Sequence, residues 1–381
     1  MIKILLLIDY SSEFDRKLLR GLVQYSKENG PWLFYRLPSY YSAMHGEQGI
    51  LRWAKEWKAD AIIGQWNNDT IDLQKELNIP VVLQNYHHRS VTYSNLTGDY
   101  KGTGRMAAQF FAKRMFRNFA YFGVKGVVWS DERCEGYRQE VKRIGGEFFS
   151  FESDKQEDEI RMEVSQWLQQ LPKPVALFCC DDAHALFISE TCRMNNIHIP
   201  EEIALLGVDN DELMCNISDP PISSIELEVE RGGYSIGRLI HQQIKKEHGG
   251  TFNIVINPIR IELRQSTEKH NIKDPYILEV VKYIDSHYSS DLTIESLLAN
   301  IPLSRRNFEV KFKNALNTSI YQYILNCRCN HLADLLLTTD RPLADLAMEV
   351  GFTDYNNIAR IFKKFKGCSP IEYRQKKTRQ R

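Results

Sequence analysis

Leu292-Thr-Ile-Glu-Ser-Leu-Leu-Ala-Asn-Ile-Pro-Leu-Ser304, continued by Arg305-Arg-Asn-Phe-Glu-Val-Lys-Phe-Lys313, is answered by a second stretch of the same design. That stretch is Arg341-Pro-Leu-Ala-Asp-Leu-Ala-Met-Glu-Val-Gly-Phe-Thr353, then Asp354-Tyr-Asn-Asn-Ile-Ala-Arg-Ile-Phe-Lys-Lys364. Each reads as a short amphipathic helix, a turn, a Ser or Thr suited to N-capping, and a second helix ending in an aromatic residue and lysine. This order serves DNA reading: the first helix braces across the backbone, and the capped second helix offers its N-terminal side chains to the major groove. The predicted DNA-facing residues are Ser304, Arg305, Arg306, Asn307, Glu309 and Lys313 in the first unit. In the second they are Thr353, Asp354, Tyr355, Asn356, Asn357, Arg360 and Lys363. Phe308, Phe312, Ile358, Ile361 and Phe362 read as core, and the helix over Ser319–Leu337 sets the spacing between the two units.

Working outward, the 381 residues exceed one ordinary domain, and a 43% hydrophobic share suffices to build real cores. The net charge of zero hides an asymmetry. Residues 271–381 hold 17 Lys+Arg against 12 Asp+Glu, leaving 32 against 37 in residues 1–270. A basic tail on an acidic body fits a phosphate-contacting module joined to one that does not touch DNA. No uncharged apolar run approaches the roughly 18 residues of a membrane span. Met1-Ile-Lys-Ile-Leu-Leu-Leu-Ile8 reads as a buried strand rather than a signal peptide, so the expected compartment is the cytoplasm.

Residues 1–267 alternate strand-like and helix-like segments, with strands at Ile2–Ile8, Ala61–Gly64, Asn118–Gly123, Pro174–Phe178 and Ile203–Val208. The predicted fold class is therefore α/β, parallel sheets covered by helices on both faces, followed by an all-α double helix-turn-helix domain. The expected boundaries are 1–267 for the sensor, 268–275 for a linker and 276–381 for the DNA-binding domain. Ligands in such sheets sit beyond the carboxyl ends of the strands. Asp9, Tyr10, Gln65, Trp66, Asn85, Asp181 and Asp209 fall there, with Tyr86 and Asn210 beside them. Carboxylates and amides suit vicinal hydroxyls and aromatic rings suit a sugar's apolar face, so the set points to a small polyhydroxylated ligand. The competing reading is that each Asp or Asn caps the next helix.

No cofactor is expected. Gly102-Thr-Gly104 lacks a dinucleotide spacing, no phosphate loop or nucleophile constellation is evident, and an enzyme is not predicted. Metal readings of His87-His88 and of Cys327, Cys329 and His331 lack a second ligand pair, so no metal is predicted. The eight cysteines read as reduced thiols.

Tyr100-Lys-Gly-Thr-Gly-Arg-Met-Ala-Ala-Gln-Phe-Phe111, Arg133-Cys-Glu-Gly-Tyr137, Gly207-Val-Asp-Asn210 and Arg264-Gln-Ser-Thr267 resemble the sensor of the lactose-repressor family, itself similar to periplasmic sugar-binding proteins. The resemblance implies that Arg133 and Asp209 bind sugar hydroxyls. Cys180 stands where that family has Asn before Asp181. Ala347-Met-Glu-Val-Gly-Phe-Thr-Asp354, Phe362-Lys-Lys-Phe-Lys-Gly367 and Ser369-Pro-Ile-Glu-Tyr-Arg374 resemble the arabinose-operon regulator (AraC) family. In the first unit Pro302 replaces the turn glycine and Leu298 a small residue, so an altered turn is expected. A sensor of the first kind ahead of a tail of the second resembles the xylose-operon class of regulators. That implies a dimeric activator that binds double-stranded operator DNA, engages RNA polymerase and responds to a pentose, D-xylose first. A different sugar or small metabolite is the alternative effector.

Overall fold

The computed structural model describes residues 1–379 except 9, 38, 67–71, 86, 248–249, 269–271, 273, 300, 317, 340 and 353–354, and leaves undescribed the side chains of 39–45, 74, 334, 337–338, 355–356 and 375–379. Two compact units, Met1–Lys269 and His270–Arg381, divide the chain.

The first unit runs β1 (Ile2–Leu7), α1 (Glu13–Asn29), β2 (Trp32–Arg36), α2 (Ser39–Trp57), β3 (Ala61–Gly64), α3 (Leu73–Leu77), β4 (Val81–Leu83) and β5 (Ser94–Gly98). It continues with α4 (Tyr100–Lys113), β6 (Asn118–Val124), α5 (Val128–Arg143), β7 (Glu147–Ser153), α6 (Glu157–Gln170), β8 (Val175–Cys179), α7 (Asp182–Met194) and β9 (Ile203–Val208). Then come α8 (Glu212–Ile217), β10 (Ser223–Leu227), α9 (Val229–Ile244), β11 (Asn253–Ile256), β12 (Pro258–Glu262) and a single 3-10 turn at Gln265–Thr267.

These strands form two six-stranded sheets, ordered β11-β5-β4-β3-β1-β2 and β12-β10-β9-β8-β6-β7. The first is parallel throughout, and the second is parallel except for β12, which runs antiparallel to β10. The expected parallel α/β architecture is thus present, as two lobes. The chain passes between the lobes three times, at β5–β6, β10–β11 and β11–β12. Ala120, Leu177, Leu205 and Ile188 fill one side of the second sheet, while Tyr121, Phe178, Leu206 and Tyr137 fill the other. Burial on both faces is why β8 and β9 read as unbroken apolar runs.

The helix that carries Arg133 is fixed by a close backbone crossing. A Cβ on Gly104 of α4 would lie 2.2 Å from the Arg133 carbonyl oxygen, and one on Gly136 of α5 would lie 2.2 Å from that of Lys101. Only glycine at both positions lets α4 and α5 approach this closely.

The second unit is helical: α10 (Pro275–His287), α11 (Ile294–Leu298), α12 (Arg305–Leu316), α13 (Ile320–Thr338), α14 (Leu343–Glu349), α15 (Tyr355–Lys366) and α16 (Pro370–Arg379). Asp274 caps α10 and binds Lys311 Nζ at 2.7 Å, so the stretch expected to be linker already includes the first anchor of this unit. α11 and α12 form the first helix-turn-helix, and α14 and α15 the second. α13, capped by Ser319, lies between them in sequence. Its 19 residues give a length of about 28 Å.

Candidate functional site

Three of the predicted effector residues converge in the second lobe. Asp181 follows β8, Asp209 follows β9, and Arg133 projects from α5. Arg133 is 3% exposed. Its Nη1 donates to the Cys180 carbonyl, its Nη2 lies 3.8 Å from Asp209 Oδ1, and its Nε has no protein partner. The guanidinium lies over the rings of Tyr100 and Trp129, at 5.6 and 5.4 Å from their centroids. Arg89 lies on Tyr100 as well, 5.7 Å from its centroid. A buried guanidinium thus keeps an unpaired N–H beside a carboxylate oxygen that also lacks a hydrogen-bond donor, two polar groups whose hydrogen-bonding capacity the protein leaves unused.

Asp209 is held with φ at 98°, a backbone state that Asp tolerates better than bulky residues do. The loop behind it is braced on every side. Buried Asp182 accepts hydrogen bonds from Ser224 Oγ (2.6 Å) and the Asp211 amide (2.7 Å). Arg264 reaches Asn210 Oδ1 at 2.8 Å and the Ile222 carbonyl at 2.9 Å, while Ser266 Oγ donates to the Leu205 carbonyl. The Arg264–Thr267 segment is therefore a buttress of the Asp209 loop. Burial pushes the Asp209 carboxyl up to about 6, against the pull of Arg133 and with Asp181 adding to the rise. Burial also opposes charge on Asp181, but the His184 imidazole beside it brings that carboxyl below its ordinary value.

The first lobe contributes differently. Tyr10 lies under the Arg36 guanidinium, 5.3 Å away, and burial pushes its hydroxyl up to about 12. The Trp66 amide donates to Asn85 Oδ1 at 3.1 Å, which ties the ends of β3 and β4 together. The Gln65 amide donates to the Leu7 carbonyl at 2.9 Å. Trp66 itself needs a correction. It is 4% exposed and packs in the cluster of Leu5, Ile50, Leu51, Ile62 and Val81 under α2, so it fills core rather than offering a stacking surface. Asp9 and Tyr86 lie outside the described residues.

Two clasps between the lobes were not legible in the sequence. Lys17 of α1 donates to the Asp209 and Asn210 carbonyls at 2.6 and 3.3 Å, and Arg16 pairs with Asp211 at 3.3 Å. Arg89, after β4, forks onto Glu132 of α5 at 2.6 and 2.8 Å and also holds Thr97.

In the second unit, Phe308, Phe312 and Leu316 bury one face of α12, while Ser304, Arg305, Arg306, Asn307, Glu309 and Lys313 are exposed. Arg305 is held by Glu295 (2.8 Å) and Glu309 (3.1 Å), which ties α12 to α11 and draws Arg305 and Glu309 together. On α15, Ile358 and Phe362 face the core with Leu332, Leu336 and Leu346. Arg360 and Lys363 are exposed, and Asn357 is half-buried. Thr353 and Asp354 lie outside the described residues, as do the side chains of Tyr355 and Asn356. The two turns differ. Gly351 has φ at 91°, and a Cβ there would meet the Ser289 carbonyl oxygen at 2.6 Å. Among the described residues of the first turn none has positive φ, and the turn passes through buried Ile301 to Pro302.

Residues 108–267 match the periplasmic binding protein-like domain family, and residues 297–376 match a helix-turn-helix domain. The chain is 23% identical to the xylose operon regulatory protein of Escherichia coli strain K12, over 98% of this chain and 96% of that one. It is 24% identical to the protein of the same name from Haemophilus influenzae, over 98% of each. The chain is xylose-operon-regulator-like. In fold it superposes on the structure of a xylose-binding transcription activator with a TM-score of 0.60, at 22% identity, covering 98% of this chain and 97% of that one. With an AraC-type helix-turn-helix domain behind a periplasmic-binding-protein-like sensor, the chain is a transcription regulator rather than an enzyme. No described helix is long and apolar enough to cross a membrane.

Proposed function

We propose that this regulator is a pentose-responsive activator, with D-xylose as its first candidate effector. The observation that carries the reading is the convergence of Arg133, Asp181 and Asp209 beyond the strand ends of one lobe, with unpaired Arg133 Nε and Asp209 Oδ1 in the same small volume. A sugar hydroxyl is donor and acceptor at once, so one such group satisfies both atoms. The names of the full-length relatives, xylose operon regulatory proteins, favour a pentose over a larger sugar. The reading places the effector between the lobes, in contact with Asp9, Tyr10, Gln65 and Asn85 from the first and Arg133, Asp181 and Asp209 from the second. Engagement of both lobes favours the closed state, and the effector acts only through its preference for that state.

The signal then passes through residues 268–275 to a DNA-binding unit starting near residue 276. There Arg306, Asn307 and Lys313 of α12 meet one major groove, and Tyr355, Asn356, Asn357, Arg360 and Lys363 of α15 meet the next. Arg suits guanine and Asn suits adenine. A homodimer in the cytoplasm, contacting RNA polymerase beside its operator, completes the proposal. Selection of random duplex DNA with the full chain, with and without D-xylose, tests it. The expected result is one enriched two-part motif whose recovery changes with the sugar. Recovery of unselected DNA in both arms would overturn sequence-specific reading.

A further inference from the structure

The second lobe carries a donor cluster that sugar recognition does not require. Cys180, Asp181 and His184 bring a thiol, a carboxylate and an imidazole together, with their ligand atoms all within 4.8 Å of one another. Asp181 Oδ1 accepts from the His184 amide at 2.8 Å and lies 2.7 Å from His184 Nδ1. That pair alone is a satisfied helix cap. What the cap does not call for is a sulfur beside the same imidazole. Cys180 is fully buried beneath the two half-buried side chains, and the helical turn from Asp181 to His184 sets all three donors on one side. Glu157, the first residue of α6, is half-buried and close enough for its carboxyl to feel both His184 and Asp181.

We propose that Cys180, Asp181 and His184 bind a divalent transition metal of borderline softness, Zn²⁺ above all, at the end of β8 in the second lobe. Sulfur, nitrogen and oxygen donors together select this class over Mg²⁺ or Ca²⁺, which take oxygen alone. Ligand atoms around tetrahedral zinc sit about 3.3–3.6 Å apart, so the hydrogen-bonded Asp181 and His184 atoms, now 2.7 Å from each other, must part slightly while the ligand atoms that lie up to 4.8 Å apart draw in. Glu157 or water fills the fourth position. Burial holds the proton on the Cys180 thiol, so metal binding must release it together with any proton on the His184 imidazole, and the bound cation itself then stabilises the thiolate, helped by neighbouring Arg133. Because Asp181 would serve both ligands, metal and effector exclude each other. That exclusion rests on the sugar reading above, whereas metal binding does not.

Co²⁺ is the probe, because thiolate coordination gives a charge-transfer absorption that oxygen and nitrogen ligands alone do not. Titrated into the reduced full chain, Co²⁺ should produce this band at one equivalent, and Zn²⁺ should abolish it. Cys180→Ser should remove the band. His184→Gln, a change at a half-buried surface position, should weaken Co²⁺ binding by about tenfold or more with the melting temperature retained. No band in the native protein, or a band that survives Cys180→Ser, overturns the site. D-xylose should displace the cobalt. A sugar that binds by calorimetry without displacing it overturns the exclusion, and a cobalt band in a protein that binds no sugar retains the metal site while removing the effector reading.

Discussion

Replacing Asp209 by Asn should stabilise the protein and blind it together. The native carboxyl sits in a buried loop, 21% exposed, and is raised from 3.8 to about 6. A rise of roughly two units corresponds to a cost of about 3 kcal/mol for keeping it ionised at neutral pH. Asn is nearly isosteric and tolerates the backbone at φ 98°, so the change removes the charge without straining the loop. The charges facing this carboxyl are Arg133 from α5, Lys17 from α1, and Asp181 and Asp211 from neighbouring loops. The sign follows from the folded value lying above the unfolded one. The folded state holds the extra proton between about 3.9 and 6, so native stability falls as pH rises through that window. The gain from Asn is therefore absent near pH 4 and full above about pH 6, reaching several degrees of melting temperature at roughly 2–4 °C per kcal/mol. Effector binding should move the opposite way. Loss of one charge-assisted hydrogen bond costs about 1.5–3 kcal/mol, or ~10–150-fold in affinity. Thermal melts from pH 4 to 8 and calorimetry at pH 7 read both arms. Unchanged sugar affinity would remove Asp209 from the effector site, and a melting change independent of pH would mean that its carboxyl is not held above its ordinary value.

Other substitutions probe other links. Lys17→Met removes the charged donor to the Asp209 and Asn210 carbonyls, so sugar affinity should fall by about tenfold or more and the melting temperature should drop slightly, since a charge-assisted hydrogen bond is worth ~1.5–3 kcal/mol. Unaltered calorimetric affinity would remove α1 from the clasp. Gly351→Ala puts a Cβ 2.6 Å from the Ser289 oxygen at φ 91°, and should destabilise the second unit by about 1–3 kcal/mol. A thermal transition equal to the native one would show the turn to be tolerant. Arg306→Ala should cost about 1–3 kcal/mol of DNA affinity and relax one base position, whereas Lys313→Ala should weaken all sequences alike and lower the salt slope by about one. Binding arrays at several salt concentrations separate the two.

The alternation of apolar strands and amphipathic helices made the two-lobed α/β unit legible, because β8 and β9 are buried on both faces and must be apolar throughout. β5 was missed for the opposite reason. Ser94-Asn-Leu-Thr-Gly98 is polar, yet Ser94 and Asn95 are buried, their side chains bonded to the Phe252 amide and to Asn253. Asp181 and Asp209 were visible as strand-end carboxylates, whereas adjacent Asp182 gave no sign that it braces the Asp209 loop, since Ser224 and Asp211 reach it only in the fold. Trp66 misled because a strand-end aromatic looks the same in sequence whether it meets a ligand or packs under a helix. The Cys180-Asp-Asp-Ala-His184 spacing was on view throughout, and one helical turn was enough to bring its ends together. The doubled helix-turn-helix was the clearest signal, because capping, turn and buried aromatics are all local.

Calorimetric titration of the full chain with D-xylose, L-arabinose, D-ribose and glucose decides whether the protein is a pentose sensor. Saturable binding of one pentose at one site per chain, lost on Arg133→Ala and weakened by Asp209→Asn, is the predicted result. Silence across all four sugars at millimolar concentration would contradict a pentose sensor and leave only the DNA-binding half of the account standing.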